Sequence, residues 1–235
     1  MSYEYIARHL QKLQQELQAA RPIPQLVAVS KYASLAQIKA AYMAGQRDFG
    51  ESKVQVLAEK EQALQDCPDI RWHFIGHLQT NKINALLKIP RLVAINAVDS
   101  GHLAAALYQK MQALPHHPPL AFFWQVNPVA QDQKYGIKTL AELQTLLKQW
   151  KSWDPLPNLK GIGLMVMSSL QNEDFAAAAE QTFAETKSWA MHLARELNLA
   201  PLKLSMGMTS DYLTALKVGT DQVRIGSAIF QEDAD

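Results

Sequence analysis

The chain is short of cysteine, of charge and of long apolar runs, and each shortage removes a class of explanation. Cys67 is the only cysteine in 235 residues, which leaves no disulfide framework and no cysteine-based metal site. Charged residues make up 19% and the net charge is +1, with no basic cluster, which argues against nucleic acid or an anionic membrane surface as the main partner. No apolar run approaches the length of a membrane span, and Met1-Ser2-Tyr3-Glu4-Tyr5 lacks the charged and apolar regions of a signal peptide. Repeats of about 20–50 residues and low-complexity tracts are missing as well. The expectation is a cytoplasmic protein whose 48% hydrophobic residues supply a sizeable core.

What is there is an alternation. Ile6, Leu10, Leu13 and Leu17 mark one stripe of an amphipathic helix over 3–19, which Pro22 and Pro24 bring to an end. Short apolar runs at 26–30, 46–50, 71–76, 91–98, 120–126, 159–166, 202–206 and 222–229 read as strands. Helical patterns lie between them, at about 34–44, 52–65, 79–88, 101–113, 139–150, 172–197 and 210–218. Strands joined by helical crossovers predict parallel pairing with right-handed connections. The count favours a single (β/α)8 barrel of the TIM type with an extra N-terminal helix, an open doubly wound sheet being the alternative. His116-His117-Pro118-Pro119 and Trp153-Asp154-Pro155-Leu156-Pro157 read as surface loops, so the whole of 1–235 is expected to form one domain.

In such a barrel the C-terminal strand ends supply the site. The first end offers Lys31, after Val27-Ala28-Val29-Ser30, where partial desolvation would lower the amine's pKa and free it as a nucleophile. At the second, Gly50 permits a tight turn and Ser52 is placed to cap the next helix. His73 and His77 stand four apart in what reads as strand, roughly 13 Å from one another, too far for a shared metal. His77 and Gln79 instead suit hydrogen bonding at the rim. Lys134, a rival amine, falls in a polar loop. Met165 at the sixth end can lie against a flat ring or simply pack in the core.

The last two ends carry the strongest local pattern. Ser205-Met206-Gly207-Met208-Thr209-Ser210-Asp211 is rich in small and hydroxyl residues, and Val223-Arg224-Ile225-Gly226-Ser227 ends on an arginine, a glycine and a hydroxyl. Barrels often hold a phosphate at these two loops. Gly226 would let the backbone approach closely, Ser205 and Ser227 could donate hydroxyl hydrogen bonds, and Arg224 could hold the phosphate or a ring nitrogen. Strand eight closes on strand one, so Lys31 and the phosphate loops can act on one small phosphorylated aldehyde. Chemistry alone leaves pyridoxal 5′-phosphate and a phosphosugar handled by a class I aldolase both open.

These motifs, with Phe49-Gly50-Glu51, Trp72-His73-Phe74-Ile75-Gly76-His77-Leu78-Gln79-Thr80-Asn81-Lys82, Gln125-Val126-Asn127 and Gly163-Leu164-Met165, follow a familiar order over residues 5–231. In that order the chain resembles the pyridoxal 5′-phosphate homeostasis proteins of the YggS/PROSC type, whose fold is like the N-terminal barrel of alanine racemase. The resemblance implies a cofactor carried by Lys31 as a Schiff base, phosphate contacts from Ser205, Gly226 and Ser227, and Arg224 near the ring or phosphate. Gly207, Met165, His77 and Ser52 complete the expected cofactor-binding set, and no metal is expected. Two departures stand out. Ser52 replaces the family's usual asparagine, and Met167-Ser168-Ser169 follows Gly-Leu-Met where a proline-containing stretch is common.

A racemase of related fold draws a second acid or base from a further β domain or its dimer partner. The sequence ends at Asp235, five residues after Phe230, which leads to the expectation of a carrier without turnover, and no long exposed apolar face demands a partner, which leads to that of a monomer. Such a carrier would serve vitamin B6 homeostasis and meet apoenzymes that depend on pyridoxal phosphate transiently. An amino-acid racemase of fold type III and a class I aldolase are the enzymatic alternatives, with Tyr135 and His77 as local acids. A purely structural interaction protein is a third.

Overall fold

The computed structural model describes residues 3–129, 135–168 and 175–232. Helix α1 (Glu4–Gln18) precedes the first strand, β1 (Gln25–Val29). The alternation continues through α2 (Leu35–Met43), β2 (Asp48–Glu51), α3 (Val54–Ala63) and β3 (Arg71–Phe74). A 3₁₀ turn at Thr80–Lys82 runs into α4 (Ile83–Leu86), followed by β4 (Leu92–Val98), α5 (Gly101–Gln112), β5 (Leu120–Gln125) and α6 (Leu140–Ser152). The circuit finishes with β6 (Leu159–Met165), α7 (Phe175–Glu196), β7 (Lys203–Ser205), α8 (Tyr212–Val218), β8 (Gln222–Ile225) and α9 (Ser227–Phe230). The eight strands form a closed parallel barrel in chain order, and β8 returns to pair with β1, with Val27 opposite Arg224. The predicted (β/α)8 barrel with its N-terminal helix is therefore the fold.

Two kinds of residue line the two faces of these strands. Phe49, Trp72, Ile95, Phe122, Trp124, Leu164 and Val223 are buried in one cluster with helix residues such as Ile38, Leu57, Leu107, Leu147 and Phe183. Burial of this layer supplies the main driving force, at about 25 cal/mol per Å² of apolar surface. The barrel interior is different. It holds a small separate apolar cluster of Ala97, Phe123 and Met165 with Ile162 against it. Much of the rest is polar. Asn96 on β4 reaches across to Ser205 on β7 (3.2 Å) and Gln222 on β8 (2.5 Å), and Gln222 donates to Gln25 on β1 (2.9 Å).

At the N-terminal ends of the strands, Arg71 grips Asp48 bidentately, Nε at 2.9 Å and Nη2 at 2.6 Å, and His73 Nε2 lies 2.9 Å from the same carboxylate. Burial pushes the Asp48 carboxyl up, but the hydrogen bonds and charges of Arg71 and His73 outweigh it and hold the group well below the usual carboxylate range.

Side chains just beyond the strands start several helices. Ser34 accepts from the Gln37 amide while Gln37 returns a bond to the Ser34 amide, a complete capping box. Ser100 and Thr139 cap α5 and α6 through the amides of Leu103 and Glu142. The expected cap at Ser52 is not made. Lys53 occupies the N-cap of α3 without a side-chain bond, and the Ser52 amide is taken by Glu51 Oε1 at 2.7 Å.

Several strands are shorter than their apolar runs suggested. The run 71–76 stops at Phe74, opposite Glu51 where β2 also ends, and the Ile75 amide makes the last bond to Glu51 O. The run 222–229 stops at Ile225, and its remainder forms α9, since the amides of Ile229 and Phe230 both bond to Gly226 O. Periodicity cannot separate four apolar residues of strand from one turn of buried helix. The helix expected over 79–88 is split between the 3₁₀ turn and α4.

Candidate functional site

At the C-terminal mouth, Ser30 is wholly buried and tied down on every side. Its amide and hydroxyl both donate to Gly50 O, at 2.9 and 3.1 Å, and its carbonyl accepts from the Ala33 amide at 2.9 Å. Lys31 leaves from this anchored turn into an exposed position, with Nζ 5.0 Å from the centroid of the Tyr32 ring. The desolvation expected of a strand-end lysine is thus not supplied by the protein around it. Lys31 lies beyond β1, in a turn, and the core ends at Ser30.

Across the β1–β8 seam stands Arg224. Its Nη1 donates to Ser205 O at 2.8 Å and to Ser205 Oγ at 2.5 Å, and its Nη2 donates to Val166 O at 3.0 Å. The guanidinium is 5% exposed, which contradicts the ordinary expectation of a solvated strand-end arginine. Burial pushes its pKa down to about 10, against the opposing pull of Asp211. Ser205 is completely buried, and its hydroxyl donates to Gln222 Oε1 at 2.7 Å while accepting from Asn96 and Arg224. It belongs to the interior network that braces Arg224.

The two loops above form a joined pair. Gly207 has φ +98°, and a Cβ there would stand 2.8 Å from the Ala215 Cβ. Its carbonyl accepts from the Arg224 amide at 2.9 Å. Asp211, 3% exposed, accepts from the Met208 amide and from the Ser168 hydroxyl, so one carboxylate fixes the loops after β6 and β7 together. Thr209 Oγ1 accepts from the Gly226 amide at 3.4 Å, linking the loop after β7 to the one after β8. At Gly226 a Cβ would come within 3.1 Å of Val29 O, so the backbones of β1 and β8 approach closely here. Ser227 is exposed and begins α9.

The remaining expected residues lie around the rim or beneath it. Met165 is 2% exposed and packs with Ala97 and Phe123 inside the barrel. Ser52 is half-buried. His77 is off the strand altogether, exposed, 3.0 Å from Asp99 through Nδ1, and stacked on Tyr135 with ring centroids 4.2 Å apart. His73, in contrast, lies inside the barrel against Asp48, so the two histidines serve different places. Among the described residues no group of three or more histidine, cysteine, aspartate or glutamate side chains is arranged to hold a metal, and no helix is long and apolar enough to cross a membrane. Lys134 lies outside the described residues.

Sequence reasoning missed Asp99, Asn96, Gln222, Asp211 and the pair Glu51–Lys60. A signal for Asn96 and Gln222 was present, since each is a polar residue set in an apolar strand run. Lys60 likewise stands in the apolar stripe of α3 between the buried Leu57 and Leu64.

The fold is thus a closed (β/α)8 barrel with an exposed lysine just past its first strand and a buried arginine on its eighth, two strands that pair with one another, and barrels of this class build their sites at that C-terminal mouth. The chain is 38% identical over 214 residues to the pyridoxal phosphate homeostasis protein of Bos taurus, covering 89% of this chain and 77% of that one. The Aquifex aeolicus protein of the same name is 31% identical over 233 residues, 97% of each chain. This chain belongs to the pyridoxal phosphate homeostasis protein family. No protein-family model matches it. Among solved structures, PipY of Synechococcus elongatus, determined with PLP bound, superposes with a TM-score of 0.84 at 34% identity, over 96% of this chain and 99% of that one. Alanine racemase of E. faecalis shares the fold, with a TM-score of 0.74 at 15% identity over 99% of this chain and 59% of its own.

Proposed function

We propose that this protein binds pyridoxal 5′-phosphate at the barrel mouth through Lys31 and serves vitamin B6 homeostasis as a carrier. The observation that carries the reading is an exposed lysine just past β1 beside the joined loops after β7 and β8, on strands that pair with one another, in a chain whose structural relative PipY was determined with PLP bound. The donor set fits the group. Pyridoxal 5′-phosphate supplies an aldehyde with which a primary amine condenses, forming a C=N bond as the carbonyl oxygen leaves as water.

Lys31 Nζ is the amine in this reading, making a Schiff base. Arg224, braced by Ser205 and Val166, would offer a fixed guanidinium to the ring or the phosphate, a buried donor keeping its orientation at no further entropic cost. The phosphate is assigned to the joined loops at Gly207, Gly226 and Ser227, with Ser205 acting through Arg224. Met165 forms part of the floor, while Ser52 and His77 border the opening. A ring seated over Lys31 would itself provide the desolvation that the empty turn lacks.

The carrier reading follows the role printed in the relatives' names, homeostasis and not a reaction. It takes the whole chain as one domain, monomeric and cytoplasmic, releasing cofactor transiently to apoenzymes. The test is borohydride reduction of the protein mixed with pyridoxal phosphate, followed by peptide mapping. Wild type should carry a phosphopyridoxyl group at Lys31 and Lys31→Ala none, with unchanged far-ultraviolet circular dichroism. Label at another lysine, or no label, removes the assignment. Racemisation of free amino acids at enzyme-like rates would replace the carrier with an enzyme.

A further inference from the structure

Helix α3 runs from the mouth of the barrel towards its base, and Lys60 lies in its last turn. Helical side chains tilt back towards the N-terminus, so a long side chain at this position can reach up towards the mouth. Lys60 does so. Its Nζ is 2.6 Å from Glu51 Oε2 and donates at 2.7 Å to Ser30 O, the carbonyl immediately before Lys31. The residues are 9% and 1% exposed, so both charges are withdrawn from water. Glu51 uses its other oxygen to accept the Ser52 amide at 2.7 Å.

A buried ion pair is expensive to desolvate, and apolar residues of the same shape often serve stability as well or better. What this pair adds is geometry. The ammonium ties the last turn of α3, the end of β2 and the turn after β1 to one point, one peptide away from the amine-bearing residue. Among the described residues the other bonds of Ser30 go to Gly50 and Ala33. Lys31 itself is exposed, with Nζ 5.0 Å from the Tyr32 ring centroid, so its backbone origin has to be set from below. An attack geometry that is off by about 1 Å loses roughly a hundredfold in rate.

We propose that the buried Glu51–Lys60 pair is a positioning device for Lys31, holding the Ser30 carbonyl so that the neighbouring amine meets the carbonyl carbon of an aldehyde ligand. The proposal rests on the reading of Lys31 given above. It predicts a selective effect, because capture of the aldehyde depends on where the amine stands, while seating of the phosphate and ring depends on the loops after β7 and β8.

The experiment compares wild type with Lys60→Met and with Glu51→Gln/Lys60→Met, the second leaving no lone buried carboxylate. Two probes are used: pyridoxal 5′-phosphate, followed by imine absorbance and borohydride-fixed label, and pyridoxamine 5′-phosphate, which lacks the aldehyde, followed by calorimetry. Both variants should bind pyridoxamine phosphate within threefold of wild type while the rate of imine formation falls tenfold or more. Equal weakening towards both probes, no change in either probe in a folded variant, or loss of the fold in both variants would make the pair structural and overturn the proposal. Wild type that binds pyridoxamine phosphate yet carries no label at Lys31 would overturn the underlying reading instead, and this control is read before any variant.

Discussion

At the scale of single residues, the polar groups inside the barrel separate into two sets with different duties. Towards the mouth, Ser205 at the end of β7 accepts from Arg224 and is itself bonded to Asn96 and Gln222, so the guanidinium cannot swing. At the opposite end, Arg71, Asp48 and His73 form a charged cluster remote from the mouth. The second set makes a clear prediction about pH. The Asp48 carboxyl titrates below its unfolded value, so the unfolded chain takes up that proton first on acidification. Its stabilising contribution is complete above the unfolded carboxylate value of about 4 and is lost as pH falls through the lower folded value. Asp48→Asn should therefore lower stability at pH 7 and flatten the further loss below about pH 4. Urea midpoints measured from pH 7 to pH 3 check both parts.

Lys31 was legible in the sequence because it ends an apolar strand run, and so were the loops after β7 and β8, from their glycines and hydroxyls. What stayed hidden was exposure. A residue one position past the core can be half-sunk or free, and only the turn at Ser30–Ala33 decides that here. Arg224 shows the converse. Strand-end arginines are ordinarily solvated, yet here three carbonyl and hydroxyl partners offset the cost of burial. Those partners are Ser205 at the end of β7 and Val166 just past β6, 19 and 58 residues away, distances no local pattern conveys.

Among the elements, the strand-to-helix connections concentrate the constraint. Gly207 is the sharpest case, with a left-handed φ of +98° and Ala215 Cβ 2.8 Å from the place a side chain would begin. Gly207→Ala should cost about 1–2 kcal/mol from backbone conformation alone, with further loss from the clash. Because the Arg224 amide bonds to Gly207 O, the same variant should weaken pyridoxamine phosphate binding several-fold. Denaturant titration and calorimetry on one preparation measure the two effects. Alternation placed every strand and every crossover in order, since strands buried on both faces read as short apolar runs while the helices between them are longer and show one apolar stripe. Boundaries were less legible: α9 was concealed in the run after β8, and the capping role assigned to Ser52 passed to no side chain at all.

At the scale of the molecule, the outer layer of Phe49, Trp72, Phe122, Trp124 and their helix partners holds the barrel, and the interior is released for polar work. Helix α1 completes the assembly. The Tyr5 hydroxyl donates to Phe230 O at 3.2 Å, and Gln37 Nε2 bonds to both at 2.9 Å, so α1, α2 and α9 share one junction beside the β1–β8 seam.

That junction means the ring of strands has no privileged starting member. The segments before β1 and after β8 meet, so the order in which the ribosome delivers the strands is separable from the order in which they stand. A circular permutant opened in the loop at the exposed Pro115 and His116, with a flexible linker joining the original termini, should keep its helical circular dichroism. It should also bind pyridoxamine phosphate within threefold of the parent. A permutant that folds but does not bind would mean that the seam needs its native connectivity, and that closing the ring is itself part of making the site.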